Sequence, residues 1–171
     1  MLLGVAFAVF NLVTDDNSNA LGALMVLLVA TTAYVVIAAL DKPSWSWSVL
    51  GVLVVVVVAL RLLSDNLALE MGVFALVIVG SIIAGLIRGL WKRSGAYRWQ
   101  PFAAVGFLAV GLIALWLDPV GGRVLVGVGL IGHAIWDVVH WRRHAVVSRS
   151  LAEWCAALDL TLGAGILLML A

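Results

Sequence analysis

The feature that most constrains this chain is the recurrence of apolar segments of about 20 residues, separated by short polar breaks. Seven can be read, at roughly 2–14, 20–40, 47–63, 68–91, 101–117, 122–141 and 150–171. A helix rises about 1.5 Å per residue, so about 20 residues cover a hydrocarbon core of about 30 Å. In lipid each backbone amide must find its partner within the structure, which for segments patterned this way means helices. With 65% hydrophobic and 11% charged residues among 171, a soluble domain would expose too much apolar surface. The expectation is an all-α fold: a polytopic transmembrane helical bundle of about seven spans, forming one integral membrane domain over residues 1–171. The run from Val52 to Val58, almost wholly β-branched, reads here as a lipid-facing helix rather than a strand. Segment 2–14 is short for a span and calls for tilt or local bilayer thinning. It has no basic leading stretch, so it does not read as a cleaved leader.

Charge gives an orientation. Lys42, Arg88, Lys92, Arg93, Arg98, Arg142, Arg143 and Arg149, eight of the ten basic residues, fall at one set of segment ends. The opposite ends carry Arg61 and Arg123 with Asp15, Asp16, Asp65, Glu70 and Asp118. Basic loops stay cytoplasmic, which predicts a multi-pass inner-membrane protein with its N-terminus cytoplasmic and its C-terminus extracytoplasmic. Trp45, Trp47, Trp91, Trp99, Trp141 and Trp154 gather at the basic ends, as interfacial anchors do. A net charge of +1, with the basic groups at membrane edges, predicts no nucleic-acid partner. The lipid bilayer is the expected partner, and a homo-oligomer or larger membrane complex stays open. Cys155 is the single cysteine, so no intramolecular disulfide forms.

Acidic turns at Asp15-Asp16, Asp65-Asn66 and Asp118-Pro119 recur with a period near 50 residues, as do Trp45, Trp99 and Trp154. Two readings stand: repeated helical-hairpin units, or the ordinary period of short-looped hairpins.

The chemistry concentrates in GHAIWDVVHWRRH, at the end of the sixth segment. His133, Asp137, His140 and His144 follow at i, i+4, i+7 and i+11, within roughly 60° on one helix face. All three histidines of the chain are here. An Asp at the centre of a spanning helix costs about 2.5–3.5 kcal/mol, so such a row needs a reason. Counting back from the basic end, His133 lies about 12 Å deep on the sixth span and Asp159 about 13 Å deep on the seventh. Asp137 matches Cys155 in depth, and His140 matches Glu153 and Ser150. Facing stripes across an antiparallel hairpin would join imidazole, carboxylate and thiol groups in the cytoplasmic leaflet. Imidazole and carboxylate suit zinc or another divalent transition metal, with His133, Asp137, His140 and Asp159 as ligands and Asp137 or Asp159 as a catalytic carboxylate. Cys155, Glu153 and His144 are additional candidates. Thr31, Thr32 and Tyr34 join the site if the second span packs on the sixth and seventh. A structural hydrogen-bond network and a proton or ion pathway are the competing readings of the same residues.

H-x-x-W-D-x-x-H at 133–140, followed by Cys155 and Asp159, resembles a pattern in small bacterial multi-pass membrane proteins of uncharacterised function. The likeness covers about 30 of 171 residues and marks His133, Asp137 and His140 as a unit. Those proteins often carry a further histidine where this chain has Trp141. A looser resemblance is to seven-helix membrane hydrolases of the ceramidase and progestin-receptor type, which hold zinc with His and Asp near the cytoplasmic face. They also take ligands from an early helix, whereas the second span here offers Thr31, Thr32 and Tyr34.

The leading functional expectation is a metal-dependent membrane enzyme acting on a lipid or lipophilic substrate. The alternatives are a small ion- or proton-coupled transporter, and an accessory subunit without catalysis; enzyme status stays open. A retinal Schiff base is not expected, because Lys42 and Lys92, the two lysines, lie at or beyond span ends.

Overall fold

The structure, a computed structural model, describes residues 2–14, 21–64 and 66–170. Among these residues there are seven α-helices and no strand. The helices are α1 (Leu2–Thr14), α2 (Leu21–Leu40), α3 (Ser46–Leu63), α4 (Leu67–Ile87), α5 (Ala96–Ala114), α6 (Pro119–Arg143) and α7 (Arg149–Leu168). Five regions, Gly22–Leu40, Pro43–Leu63, Leu67–Ile87, Pro119–Arg143 and Arg149–Leu168, are long and apolar enough to cross a membrane. The expected seven spans therefore reduce to five on length and composition. At 13 residues α1 is too short, and α5 carries Tyr97, Arg98 and Gln100 in its first two turns.

Segment ends agree with the sequence reading to within about three residues, except at the end of α4 and the start of α5. The fourth segment stops at Ile87 because Gly89 takes the left-handed conformation (φ 66°) that closes a helix without a Cβ penalty. The fifth starts at Ala96, five residues before Pro101, so the proline sits inside the helix rather than at its start. That shift carries Gln100 from an expected loop into the bundle. The acidic turns cap helices: the Asn66 side chain accepts from the Ala68 and Leu69 amides, and Asp118 accepts from Val120 and Gly121. Asp15, Asp16 and Asp65 lie outside the described residues. Arg61 Nε lies 3.5 Å from the buried Glu70 carboxylate across the α3–α4 turn.

The hub is α2. It packs against α3, α4, α5, α6 and α7, and Leu27, Tyr34, Val35 and Ile37 are fully enclosed. Its apolar residues occupy every face, as a helix at the centre of a bundle requires. The helix α3 is peripheral, with Val52, Val54, Val55 and Val58 exposed on the outer surface, in keeping with the lipid-facing helix read from the sequence. The most extensive contact joins α6 to α7. There Gly163 lies so close to Gly127 that a Cβ on it would stand 2.7 Å from the Gly127 carbonyl oxygen. Small residues at such a crossing let two backbones approach and gain dispersion contact. On the far side of α7, Gly4 brings α1 close to the Trp154 carbonyl by the same device.

The basic end is locally ordered. Asp41, with φ 57°, turns the chain out of α2, and Arg93 donates to its two oxygens at 2.7 and 2.9 Å. Tyr97 Oη adds a third hydrogen bond at 3.0 Å. These bonds, above all those from Arg93, hold the Asp41 carboxyl below its ordinary range. Asp41 was not singled out in the sequence. The α6–α7 loop is pinned by Ser46, whose Oγ accepts from the Ser148 amide at 2.8 Å. It is held also by Trp47, whose indole N–H donates to Ser150 at 3.0 Å.

Candidate metal centre

The antiparallel α6–α7 hairpin brings together His133 and Asp159, one of the pairs that the depth argument gave; His140 does not meet Glu153 or Ser150 in the same way. His133 Nδ1 lies 2.8 Å from Asp159 Oδ2 and 3.4 Å from Asp137 Oδ1. One ligand atom from each of His133, Asp137 and Asp159 lies within 4.8 Å of the others. All three residues are fully buried. The glycine crossing lies close by: Gly163, which approaches the Gly127 carbonyl, is one turn beyond Asp159.

Tyr34 of α2 completes one wall. Its ring meets His133 edge-on at 5.2 Å and His140 edge-on at 5.0 Å, and its hydroxyl lies within electrostatic reach of Asp137, Cys155 and Asp159. The second span thus does pack on the sixth and seventh, as its inclusion in the site required. The Phe107 ring of α5 lies tilted against His133, with the ring centres 4.9 Å apart. Neither Phe107 nor Gln100 was singled out in the sequence. A phenylalanine in an apolar span carries no signal, and the displaced start of α5 hid Gln100.

The other candidates separate. His140 is fully buried but outside the three-residue group. Its Nδ1–H donates to the Trp136 carbonyl at 2.8 Å, which leaves Nε2 as the free acceptor. His144 is exposed and ends α6 in the left-handed conformation (φ 47°). Glu153 lies towards the outer surface, in a groove between α6 and α7 with Trp141 and Arg142. Cys155 is buried as a free thiol one turn before Asp159. It lines a second groove, with Phe7, Val29, Leu50, Val54 and Trp154, between α1, α2, α3 and α7.

The three residues could hold a metal ion. His133 Nδ1 stands 2.8 Å from Asp159 and 3.4 Å from Asp137, so it would act as the shared ligand atom only by exchanging its proton for the ion. Both Asp137 oxygens, Asp159 Oδ1 and His133 Nε2 are buried without a hydrogen-bond partner. Two buried carboxylates share one imidazole, and burying charge without a counter-charge is costly. A divalent cation would supply that charge and take up the free lone pairs.

Comparison with protein-family models, curated proteins and solved structures finds no match to this chain, so the reading of the centre rests on its own geometry.

Proposed function

We propose that this protein is a metal-dependent membrane enzyme acting on a lipid or lipophilic substrate, with His133, Asp137 and Asp159 as the ligands. The observation that carries the reading is the pair of buried carboxylates against a single imidazole within 4.8 Å. Zinc, or another first-row divalent ion that accepts one nitrogen and two oxygens, suits the donors. Three protein ligands leave a coordination position open, the arrangement of catalytic rather than structural sites. A metal held by His133, Asp137 and Asp159 would supply a Lewis acid that could polarise a substrate oxygen or activate water. Asp137, with neither oxygen hydrogen-bonded, is the carboxylate best placed to exchange between ligand and general base.

The lipophilic substrate is supported by the groove at Cys155. Its walls are almost wholly apolar and merge with the exposed valines of α3. At about 190 Å³ it is smaller than a pocket for a whole ligand, and its size suits part of one hydrocarbon chain entering sideways from the bilayer. In this reading all seven helices form the membrane bundle, α1 and α5 spanning with tilt or local thinning. The basic ends face the cytoplasm of an inner membrane, as the distribution of Lys and Arg supports. A transporter is less well served, because no ionisable residue lies between Arg123 and His133 on the way to the acidic end.

The test is to incubate the zinc- or manganese-loaded protein in vesicles of bacterial lipid extract and follow the lipids by mass spectrometry. The expected result is a lipid species consumed by the wild type and not by Asp137→Asn. Equal lipid profiles with wild type, Asp137→Asn and empty vesicles contradict the reading.

A further inference from the structure

Further buried polar atoms run from Tyr34, at the wall of the centre, towards the basic end. Thr31 Oγ1, Tyr34 Oη, Gln100 Oε1 and His140 Nε2 are all buried without a hydrogen-bond partner. Each belongs to a residue no more than 2% exposed. They come from three helices that share one register. Phe107 faces His133 across the antiparallel α5–α6 contact. Gln100 and His140 are each seven residues, two turns, nearer the basic end than that pair, so they stand at one level. Tyr34 lies between the levels, with its ring on both His133 and His140. Beyond His140 the column ends where Gly95, at the start of α5, lies beside the exposed guanidinium of Arg143.

Orphaned buried polar groups cost about 1–3 kcal/mol each, and native proteins rarely leave several in one place. Aligned orphans that end among exposed basic residues have one common remedy: water, which hydrogen-bonds about three polar partners at a time. His140 is set up for this role, because its Nδ1–H is committed to the Trp136 carbonyl and only Nε2 is left to accept. Phe107 and the apolar faces around Leu130 and Ile78 offer water nothing.

We infer that water reaches the His133–Asp159 centre from the basic face, along a column formed by Gln100, His140 and Tyr34. The column stands whether or not a metal binds.

Hydroxyl-radical footprinting of the full chain in lipid nanodiscs, with no metal added, tests this. The chain has two tyrosines, Tyr34 and Tyr97, and Tyr97 at the basic end is the internal reference. The expected result is oxidation of buried Tyr34 within about threefold of Tyr97, because radicals form in the water beside it. Gln100→Leu, close in volume, and separately His140→Leu should slow Tyr34 oxidation by about fivefold or more and leave Tyr97 unchanged. Oxidation of Tyr34 as slow as that of the enclosed Phe74 overturns the column, and so does a fast rate that neither substitution alters. Two variants keep the test valid if one misfolds, and the readout needs no bound metal.

Discussion

His133 and Asp159 meet at 2.8 Å between Nδ1 and Oδ2, although 26 residues of chain separate them. Both are fully buried, so removing one leaves the other in the protein interior without its partner. Asp159→Ala should therefore cost about 3–5 kcal/mol of stability, the range for breaking a buried pair. Denaturant unfolding in detergent micelles measures it. A double-mutant cycle with His133→Ala should return a coupling of at least about 1 kcal/mol. Additive losses would mean that the two side chains do not act on each other.

The ligand group excludes Cys155 and His140. Cys155→Ala and His140→Ala should therefore keep the metal stoichiometry of the wild type, whereas Asp137→Ala should lose it. Isothermal titration of the metal-stripped variants with zinc distinguishes the sets. Loss of binding in Cys155→Ala would place the thiol among the ligands.

Gly163→Ala introduces a Cβ 2.7 Å from the Gly127 carbonyl oxygen. Because that atom is backbone, the helices must part. The expected cost is about 1–3 kcal/mol, as for other overpacked contacts. Zinc affinity should fall as well, since Asp159 is one turn away. Gly80→Ala, where a Cβ meets no atom within 4 Å, should change neither.

Much of this was legible in the sequence. Helical spans follow from segment length and the backbone's need for internal partners in lipid. The His133–Asp159 pairing followed from depth alone, because two helices joined by a short loop must run antiparallel at matched register. What escaped was set by packing. His140 shares the helical face of His133, but two turns separate them, and facing one way does not place a residue within ligand distance. Gln100 was hidden by Pro101, which reads as a helix start and instead lies within α5. Phe107 and Tyr34 come from helices whose neighbours are fixed by the three-dimensional arrangement of the bundle, which a one-dimensional pattern does not encode.

At the basic end, the pKa of Asp41 is lowered by Arg93 and Tyr97. A carboxyl with a lowered folded-state pKa stabilises the fold above its unfolded value. That contribution is lost as the pH falls through the folded value, below about pH 4. Both partners are partly exposed, so the effect should be small and weakened by salt. Asp41→Asn, which keeps a residue tolerant of the left-handed conformation, should shift the melting temperature at pH 7 by no more than about 2 °C. The difference between variant and wild type should shrink as the pH falls below about 4. A shift that does not shrink on acidification would contradict the assignment.

The orientation can be read with thiol reagents in a Cys155→Ala background. His144→Cys at the basic end should resist a membrane-impermeant maleimide in intact spheroplasts and react in inverted vesicles. Trp116→Cys, at the other end, should do the opposite. Labelling of both from the same side would contradict the arrangement.

The most direct test of the central claim is elemental mass spectrometry of the detergent-purified protein, with wild type, His133→Ala and Asp159→Ala prepared together. The account predicts about one transition-metal ion per chain in the wild type, as for a single three-ligand site, and little in either variant. No metal in the wild type, even after reloading with zinc, manganese or iron, would contradict it. The buried carboxylates would then be a packing network or a proton path.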